Sequence, residues 1–282
     1  MTAELVAFEP AGSAPRPFRY LVPLRPHGSR PRLFLVHGSG GSVEAFRELA
    51  AALGPEQRVV GIQSRGVDGR SEPHERIEAM ADAYLEELLQ LQPVGPYLLG
   101  GFSGGGVIAV AMAQRLRARG AAVPFVGMID APCPQQNQRG RLARTMVHFG
   151  ELFRRGPRYP IGILKTKFTR WHAARQAQRA PGDASASTPA QRGIVLQLAF
   201  ERAFFQHRVA PYHEPLWLFR AEVQSLGTRY QRTHDMGWAK VASALRVEVC
   251  PGDHFGMCEP PHVAGLGARL RKAIDGALAG GS

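Results

Sequence analysis

Cysteines, long apolar stretches and acidic side chains are all scarce in this 282-residue sequence. The cysteines Cys133, Cys250 and Cys258 are odd in number and lack metal-ligand spacing, which argues against a disulfide framework and a structural zinc site. No apolar run approaches the length of a membrane span, and the first twenty residues lack the basic start and apolar core of a secretory signal. We therefore expect a cytoplasmic protein with no membrane association and no bound cofactor or metal, whose cysteines are small buried residues.

Acidic side chains are scarcest between Gln135 and Ala210. This segment has 14 basic and three acidic residues, so it accounts for nearly all of the net charge of +12. A basic segment on an otherwise neutral body favours an acidic partner or substrate, although a solvated arginine-rich surface is the alternative. No DNA- or RNA-binding motif accompanies the charge, so a nucleic-acid partner is not expected.

The most informative motif is Gly-x-Ser-x-Gly, formed by Gly101, Ser103 and Gly105. An apolar run ends at this motif and a helical pattern follows at once, which is the strand, turn and helix context of a nucleophile elbow. Gly104, directly after the serine, is expected to direct its backbone N–H toward the oxyanion that forms in the reaction. The pattern predicts that Ser103 is a catalytic nucleophile rather than part of a structural turn.

Strand and helix patterns alternate along most of the chain. Continuous apolar runs predict buried strands, and apolar stripes with helical spacing lie between them. Predicted strands are 33–36, 59–62, the run that leads to Ser103, 125–129, 216–219 and 245–249. Ser42 is the expected N-cap of the first helix. Repeated strand–helix units predict an α/β fold with a mostly parallel sheet and helices on both faces.

The alternation stops between residues 135 and 211. This part contains helical patterns around 142–153 and 194–205, separated by a spacer rich in Pro, Ser and Ala at 181–189. We therefore predict a core interrupted by a helical insertion. The predicted divisions are a leader or linker at 1–30, the first part of the core at 31–134, the insertion at 135–211 and the second part of the core at 212–282.

Serine chemistry needs a base and an acid that orients this base, both at the carboxyl ends of strands that follow the serine. His254 fits the base, because it follows the last predicted strand by a short loop. Asp130 and Asp235, each after a predicted strand, could both supply the acid, and spacing alone modestly favours Asp130. Asp253 is adjacent to His254 and poorly placed to orient it.

The oxyanion hole needs a second backbone donor. We expect it in the glycine-rich loop after strand 33–36, at Ser39 or Gly40, and we assign it to Ser39. The alternative is that the glycines of this loop only permit a tight turn.

Several stretches of the chain resemble the C-terminal thioesterase domains of nonribosomal peptide synthetases and polyketide synthases, which have the α/β-hydrolase fold. The resemblance extends from about residue 20 to 275 and is weakest across the insertion. Matching stretches are 21–26, 33–37, 61–66, 95–103, 113–117, 129–130 and 251–255. Two residues depart from the family pattern: Gly38 replaces the usual proline after His37, and Ala111 replaces the usual glutamate of the elbow helix.

The resemblance implies a carrier-bound substrate. Ser103 would attack an acyl or peptidyl thioester on the phosphopantetheine arm of a carrier protein, with His254 as base, and the resemblance selects Asp130 as the acid. Water or a nucleophile within the chain would then release the product. The insertion would be a mobile helical lid, and its basic surface would be the docking site for the acyl or peptidyl carrier protein, because carrier proteins are typically acidic.

Three alternative functions remain open from the sequence. They are a free-standing editing thioesterase, a carboxylesterase, and a hydrolase fold that acts only as a binding module. The lid aromatics could line an acyl channel, although helical spacing favours ordinary packing for most of them. These residues are Phe149, Phe153, Trp171, Phe200, Phe204 and Phe205.

Overall fold

A seven-stranded, mostly parallel sheet forms the centre of the structure, a computed structural model that describes residues 18–135, 189–224 and 233–280. The strand order is β1-β3-β2-β4-β5-β6-β7, with β1 antiparallel to β3 and the other neighbours parallel. The strands are β1 Leu21–Arg25, β2 Leu33–Val36, β3 Val59–Ile62, β4 Leu98–Phe102, β5 Phe125–Ile129, β6 Leu216–Val223 and β7 Leu245–Asp253. The predicted α/β fold class is therefore confirmed.

Helices cover both faces of this sheet. They are α1 Phe46–Ala52, α2 Ile77–Leu91, α3 Gly105–Ala118, α4 Pro189–Gln206 and α5 Val263–Ala279. Buried side chains of α2, α3 and α4 form one apolar core, and those of α1 and α5 form a second core on the opposite face. Successive side chains of a strand point to opposite faces, so β2 places Phe34 and Val36 in the first core and Leu33 and Leu35 in the second.

The predicted N-cap of the first helix is wrong. Helix α1 begins at Phe46 after Ala45, and the Ser42 Oγ instead accepts a hydrogen bond from the Glu44 N–H. A turn precedes the helix, because the Phe46 N–H already donates to the Val43 carbonyl.

The predicted insertion is described only at its two ends. Helix α4 begins at Pro189, earlier than the predicted 194, whereas the predicted helix at 142–153 and the spacer at 181–188 lie outside the described residues. The Gln135 side chain joins the two ends. Its Nε2 donates to the Val209 carbonyl at 2.8 Å, and its Oε1 accepts the Val209 N–H at 3.0 Å.

The topology brings the predicted reactive residues to one edge. Ser103, Asp130 and His254 follow the carboxyl ends of β4, β5 and β7, and neighbouring parallel strands place these ends together. Among residues 18–135, 189–224 and 233–280, no helix is both long and apolar enough to span a bilayer.

Candidate active site

Ser103 lies in a strained turn between β4 and α3. Its φ of 54° is in the left-handed region, which is costly for a residue with a Cβ atom and is common at functional sites. Its backbone N–H donates to the Ile129 carbonyl on the neighbouring strand at 2.8 Å, which holds the turn against the sheet. Helix α3 starts two residues later, with Gly104 at the N-cap.

Close backbone contacts explain the two glycines of the motif. A Cβ atom on Gly101 would lie 2.2 Å from the Gly105 carbonyl oxygen, and one on Gly105 would lie 2.2 Å from the His37 carbonyl oxygen. Neither distance is possible for a real side chain, and the obstructing atoms are backbone. The motif thus lets the helix start directly above β4 and against the loop after β2.

The structure brings together two of the predicted residues, His254 and Asp130. His254 Nδ1 lies 2.6 Å from Asp130 Oδ2, and the second carboxylate oxygen of Asp130 accepts the Ala221 N–H at 2.9 Å. The Asp130 side chain is 2% exposed and that of His254 is 25% exposed. The buried Asp130 carboxylate thus fixes the orientation of the His254 ring, which is itself accessible to solvent.

The electrostatic environment keeps Asp130 ionised. Burial alone would raise its pKa, but hydrogen bonds from His254 and the Ala221 N–H, together with the charge of His254, hold this pKa below the ordinary value. An ionised Asp130 can only accept hydrogen bonds, so His254 Nδ1 is the donor, and in the neutral form of the ring Nε2 is then the nitrogen that can accept a proton.

Aromatic contacts place the His254 ring beside the serine turn. The ring stacks on Phe102, the residue before Ser103, with 4.8 Å between ring centroids and 29° between ring planes. Phe255 contacts the same imidazole edge-to-face at 4.9 Å. The base candidate therefore packs directly against the end of the strand that leads to Ser103.

The two other candidate acids have different partners. Asp235 Oδ2 accepts the Ala239 N–H at 2.9 Å, in the first turn of the short 3₁₀ helix Trp238–Lys240, whose N-cap is Gly237. Asp253 Oδ1 accepts the N–H groups of Phe255 and Gly256, at 3.2 and 2.8 Å. Each carboxylate thus stabilises a local turn.

The loop after β2 contains the predicted oxyanion donor Ser39, which is half-buried. A buried pair that sequence reasoning missed supports this loop: the Tyr84 hydroxyl lies 2.7 Å from His37 Nε2, and His37 Nδ1 lies 2.6 Å from the Gly38 carbonyl. A carbonyl accepts only, so Nδ1 carries the proton and Nε2 accepts from the hydroxyl. The sequence features that could have indicated this pair are the position of His37 directly after a buried strand and that of Tyr84 on the apolar stripe of α2.

Burial of His37 makes the protein's stability depend on pH. Burial lowers the pKa of His37 to about 4, from an ordinary value of 6.5. Between these values the unfolded chain binds a proton that the folded protein excludes, so stability is lost as pH falls from 6.5 toward 4, by about 3 kcal/mol. We expect His37→Asn to remove this part of the pH dependence. Urea unfolding at several pH values tests it, and an unchanged pH dependence would contradict it; His213→Asn, at an exposed histidine, is the control.

Helix α4 covers the serine turn. A Cβ atom on Gly104 would lie 2.2 Å from the Phe200 ring, and Phe200 also contacts His37 edge-to-face at 6.1 Å. Phe200 and Phe204 are buried in the first core, as ordinary packing predicts. Phe149, Phe153 and Trp171 lie outside the described residues.

The cysteines lie inside the protein. Cys133, Cys250 and Cys258 are all buried and unbridged, as predicted. Within the described parts of the chain, no group of three or more His, Cys, Asp or Glu side chains is arranged to hold a metal ion.

Comparisons with known proteins match the chain to one domain family and to parts of much longer proteins. The Thioesterase domain family matches residues 31–270. Chondramide synthase cmdD from Chondromyces crocatus is 30% identical over 288 residues, which covers 95% of this chain and 7% of that protein. Enterobactin synthase component F from Escherichia coli K12 is 39% identical over 118 residues, covering 42% of this chain and 9% of that protein. The matched segments thus cover less than a tenth of the length of each of these relatives.

Solved thioesterase domains have the same fold. The NocB thioesterase domain from the nocardicin cluster superposes with a TM-score of 0.65 at 20% identity, covering 91% of this chain and 99% of that one. A four-domain nonribosomal peptide synthetase, AB3403, gives a TM-score of 0.67 at 24% identity, covering 90% of this chain and 20% of that one.

Proposed function

We propose, because the chain belongs to the thioesterase-domain family, that it releases an acyl or peptidyl chain from the phosphopantetheine thioester of a carrier protein. The observation that carries the chemical part is the hydrogen-bonded pair of His254 and Asp130 beside the strained Ser103 turn. The substrate class rests on the relatives, which include nonribosomal peptide synthetases and a polyketide synthase. These relatives do not favour the editing thioesterase, the carboxylesterase or the inactive binding module.

The first half of the proposed reaction forms an acyl-enzyme. His254 Nε2 takes the Ser103 hydroxyl proton while Oγ bonds to the thioester carbonyl carbon, and backbone N–H groups of Gly104 and Ser39 stabilise the oxyanion. The carbon–sulfur bond then breaks, and the imidazolium returns the proton to the departing pantetheine sulfur. Asp130 stabilises the imidazolium throughout, since its buried carboxylate faces Nδ1.

The second half removes the acyl group from Ser103. Water, or a hydroxyl or amine of the chain, loses a proton to His254 as it attacks the ester carbon, and the serine oxygen then recovers this proton. Products are a free acid in the first case and a ring in the second. No cofactor or metal takes part in these steps.

We also propose that the carrier protein docks on the basic insertion. Of its cationic side chains, Arg192, Arg202 and Arg208 lie among the described residues, on or directly after α4. Arg192 donates to the Asp68 carbonyl and Arg202 pairs with Glu75, so α4 is tied to the loop between β3 and α2. An acidic carrier that approaches this side would meet the helix that covers Ser103.

The substrate class is tested by matched acyl donors. The protein is mixed with one acyl group presented as an acyl carrier protein, as an acyl-pantetheine thioester and as the corresponding oxygen ester. We expect the carrier to give the highest kcat/KM and its advantage to shrink with added salt, because the proposed contact is electrostatic. Faster turnover of the oxygen ester, with neither adduct nor product from either thioester, would identify a carboxylesterase.

A further inference from the structure

We propose that Gln224 is a positioning residue that holds the Asp130 carboxylate for His254. Gln224 directly follows the carboxyl end of β6, between the strands that end at Asp130 and His254. Its Nε2 donates to Asp130 Oδ1 at 3.1 Å. The inference depends on one part of the proposed function, namely that Asp130 orients the base His254.

The hydrogen bonds around Gln224 form a closed arrangement. Nε2 has two hydrogens: one points to Asp130 Oδ1, and the other points to the Ala221 carbonyl at 2.8 Å. The Ala221 N–H donates to the same carboxylate oxygen at 2.9 Å. The amide is therefore held between the carboxylate and the strand backbone, and the carboxylate is held by two donors on the side away from His254.

This arrangement determines which oxygen of Asp130 faces the base. Oδ1 is occupied by Ala221 and Gln224, so Oδ2 remains for His254 Nδ1, at 2.6 Å. A carboxylate held through only one oxygen by one donor can rotate about its Cβ–Cγ bond, whereas two donors in different directions oppose that rotation. A rotated Asp130 carboxylate would lower the reaction rate, because His254 would no longer be aligned with Ser103.

The neutral amide also suits the electrostatics of the pair. An arginine in place of Gln224 would neutralise the Asp130 carboxylate, which stabilises the imidazolium of His254. A glutamate would repel the Asp130 carboxylate. Burial raises the pKa values of two nearby thiols, Cys250 to about 11 and Cys258 to about 12, so both are uncharged at neutral pH. A charge introduced at position 224 would lie beside the Asp130 carboxylate, the hydrogen-bond partner of His254.

Two nearly isosteric variants test the proposal. Gln224→Met keeps the length of the side chain but removes both donors, and we expect it to lower kcat about tenfold with little change in KM. Gln224→Glu adds a negative charge beside Asp130 that stabilises the imidazolium, so we expect the acid limb of the pH–rate profile to move up by about one pH unit. A residue that only stabilises the fold would not lower the kcat of the folded Gln224→Met variant while its KM stays unchanged.

The readout is chosen to be independent of the substrate assignment. A fluorophosphonate phosphonylates an activated serine: the serine oxygen bonds to phosphorus, and fluoride and the hydroxyl proton leave. Its labelling rate therefore reports the reactivity of Ser103 whatever the natural acyl group is. Gln92→Met and Gln92→Glu are matched controls, because the Gln92 amide donates to the Pro96 carbonyl just before the amino end of β4, whereas Ser103 follows the carboxyl end of that strand. Labelling rates and pH limbs of the Gln224 variants equal to those of the wild type would overturn the proposal. If the wild-type protein is labelled but cleaves no thioester, the result would instead count against the proposed function and not against the role of Gln224.

Discussion

Replacement of Ser103 by alanine is expected to lower thioester turnover by about 10⁴- to 10⁶-fold while leaving the fold intact. The loss should be large because the proposed acyl-enzyme forms on the Ser103 hydroxyl, so direct attack by water on the thioester would be the route left to the variant. The fold should survive because alanine removes only a hydroxyl, and it relieves none of the contacts that define the turn. Stability should change by little, and the strained φ of 54° persists with the Cβ atom.

Intact-protein mass spectrometry checks this expectation directly. An acyl-pantetheine thioester should add one acyl group to the wild-type protein and none to Ser103→Ala. Ser243→Ala is the matched control, because that serine is exposed and its hydroxyl donates to the His213 carbonyl, away from the site. An acyl adduct that persists on Ser103→Ala would assign the nucleophile to another residue.

Replacement of Asp130 by asparagine is expected to lower kcat about 10³- to 10⁴-fold, the second-largest effect. An asparagine can turn its NH₂ group toward His254, which then holds the proton on Nε2 and cannot accept one from Ser103. The tautomer that the ionised carboxylate enforces is thereby lost, although the shape of the side chain is retained. The effect is on the proton transfer, so KM should change far less than kcat.

The rate of fluorophosphonate labelling measures this effect apart from substrate binding. Asp82→Asn serves as the control, because Asp82 is an exposed carboxylate that pairs with Arg115 on the surface. If Asp130→Asn labelled as fast as the wild type while Asp235→Asn did not, the acid would have to be reassigned to Asp235. Thermal unfolding of each variant separates a loss of activity from a loss of folded protein.

The residues of the site were predictable to different extents. The position of Ser103 could be predicted from the local sequence, because backbone contacts require the glycines of its turn. One contact is within the turn itself, and the other is with the loop after β2. The choice between Asp130 and Asp235 was less certain, since strand order alone allows either to approach His254. The structure pairs His254 with Asp130, whereas Asp235 accepts a hydrogen bond from the Ala239 N–H in a local turn.

Networks between distant segments had no sequence signal strong enough to predict. The contact between Gln224 and Asp130 joins residues 94 positions apart, and that between His37 and Tyr84 joins residues 47 positions apart. Such pairs depend on strand register and on irregularities such as the register shift between β6 and β7, near which Gln224 lies. Polar residues of this kind are common at the ends of strands, so their type alone does not identify a partner.

The paired hydrogen bonds between Gln135 and Val209 have a consequence for how this protein can vary. They hold Gln135 and Val209, the two ends of the long segment between these residues, next to each other. A loop whose ends are already adjacent can be lengthened, shortened or exchanged at small entropic cost, and without displacement of the strands that hold the site. Chimeras that exchange this segment with that of a relative, joined at positions 135 and 209, should therefore keep the core folded while they acquire a different covering over the serine.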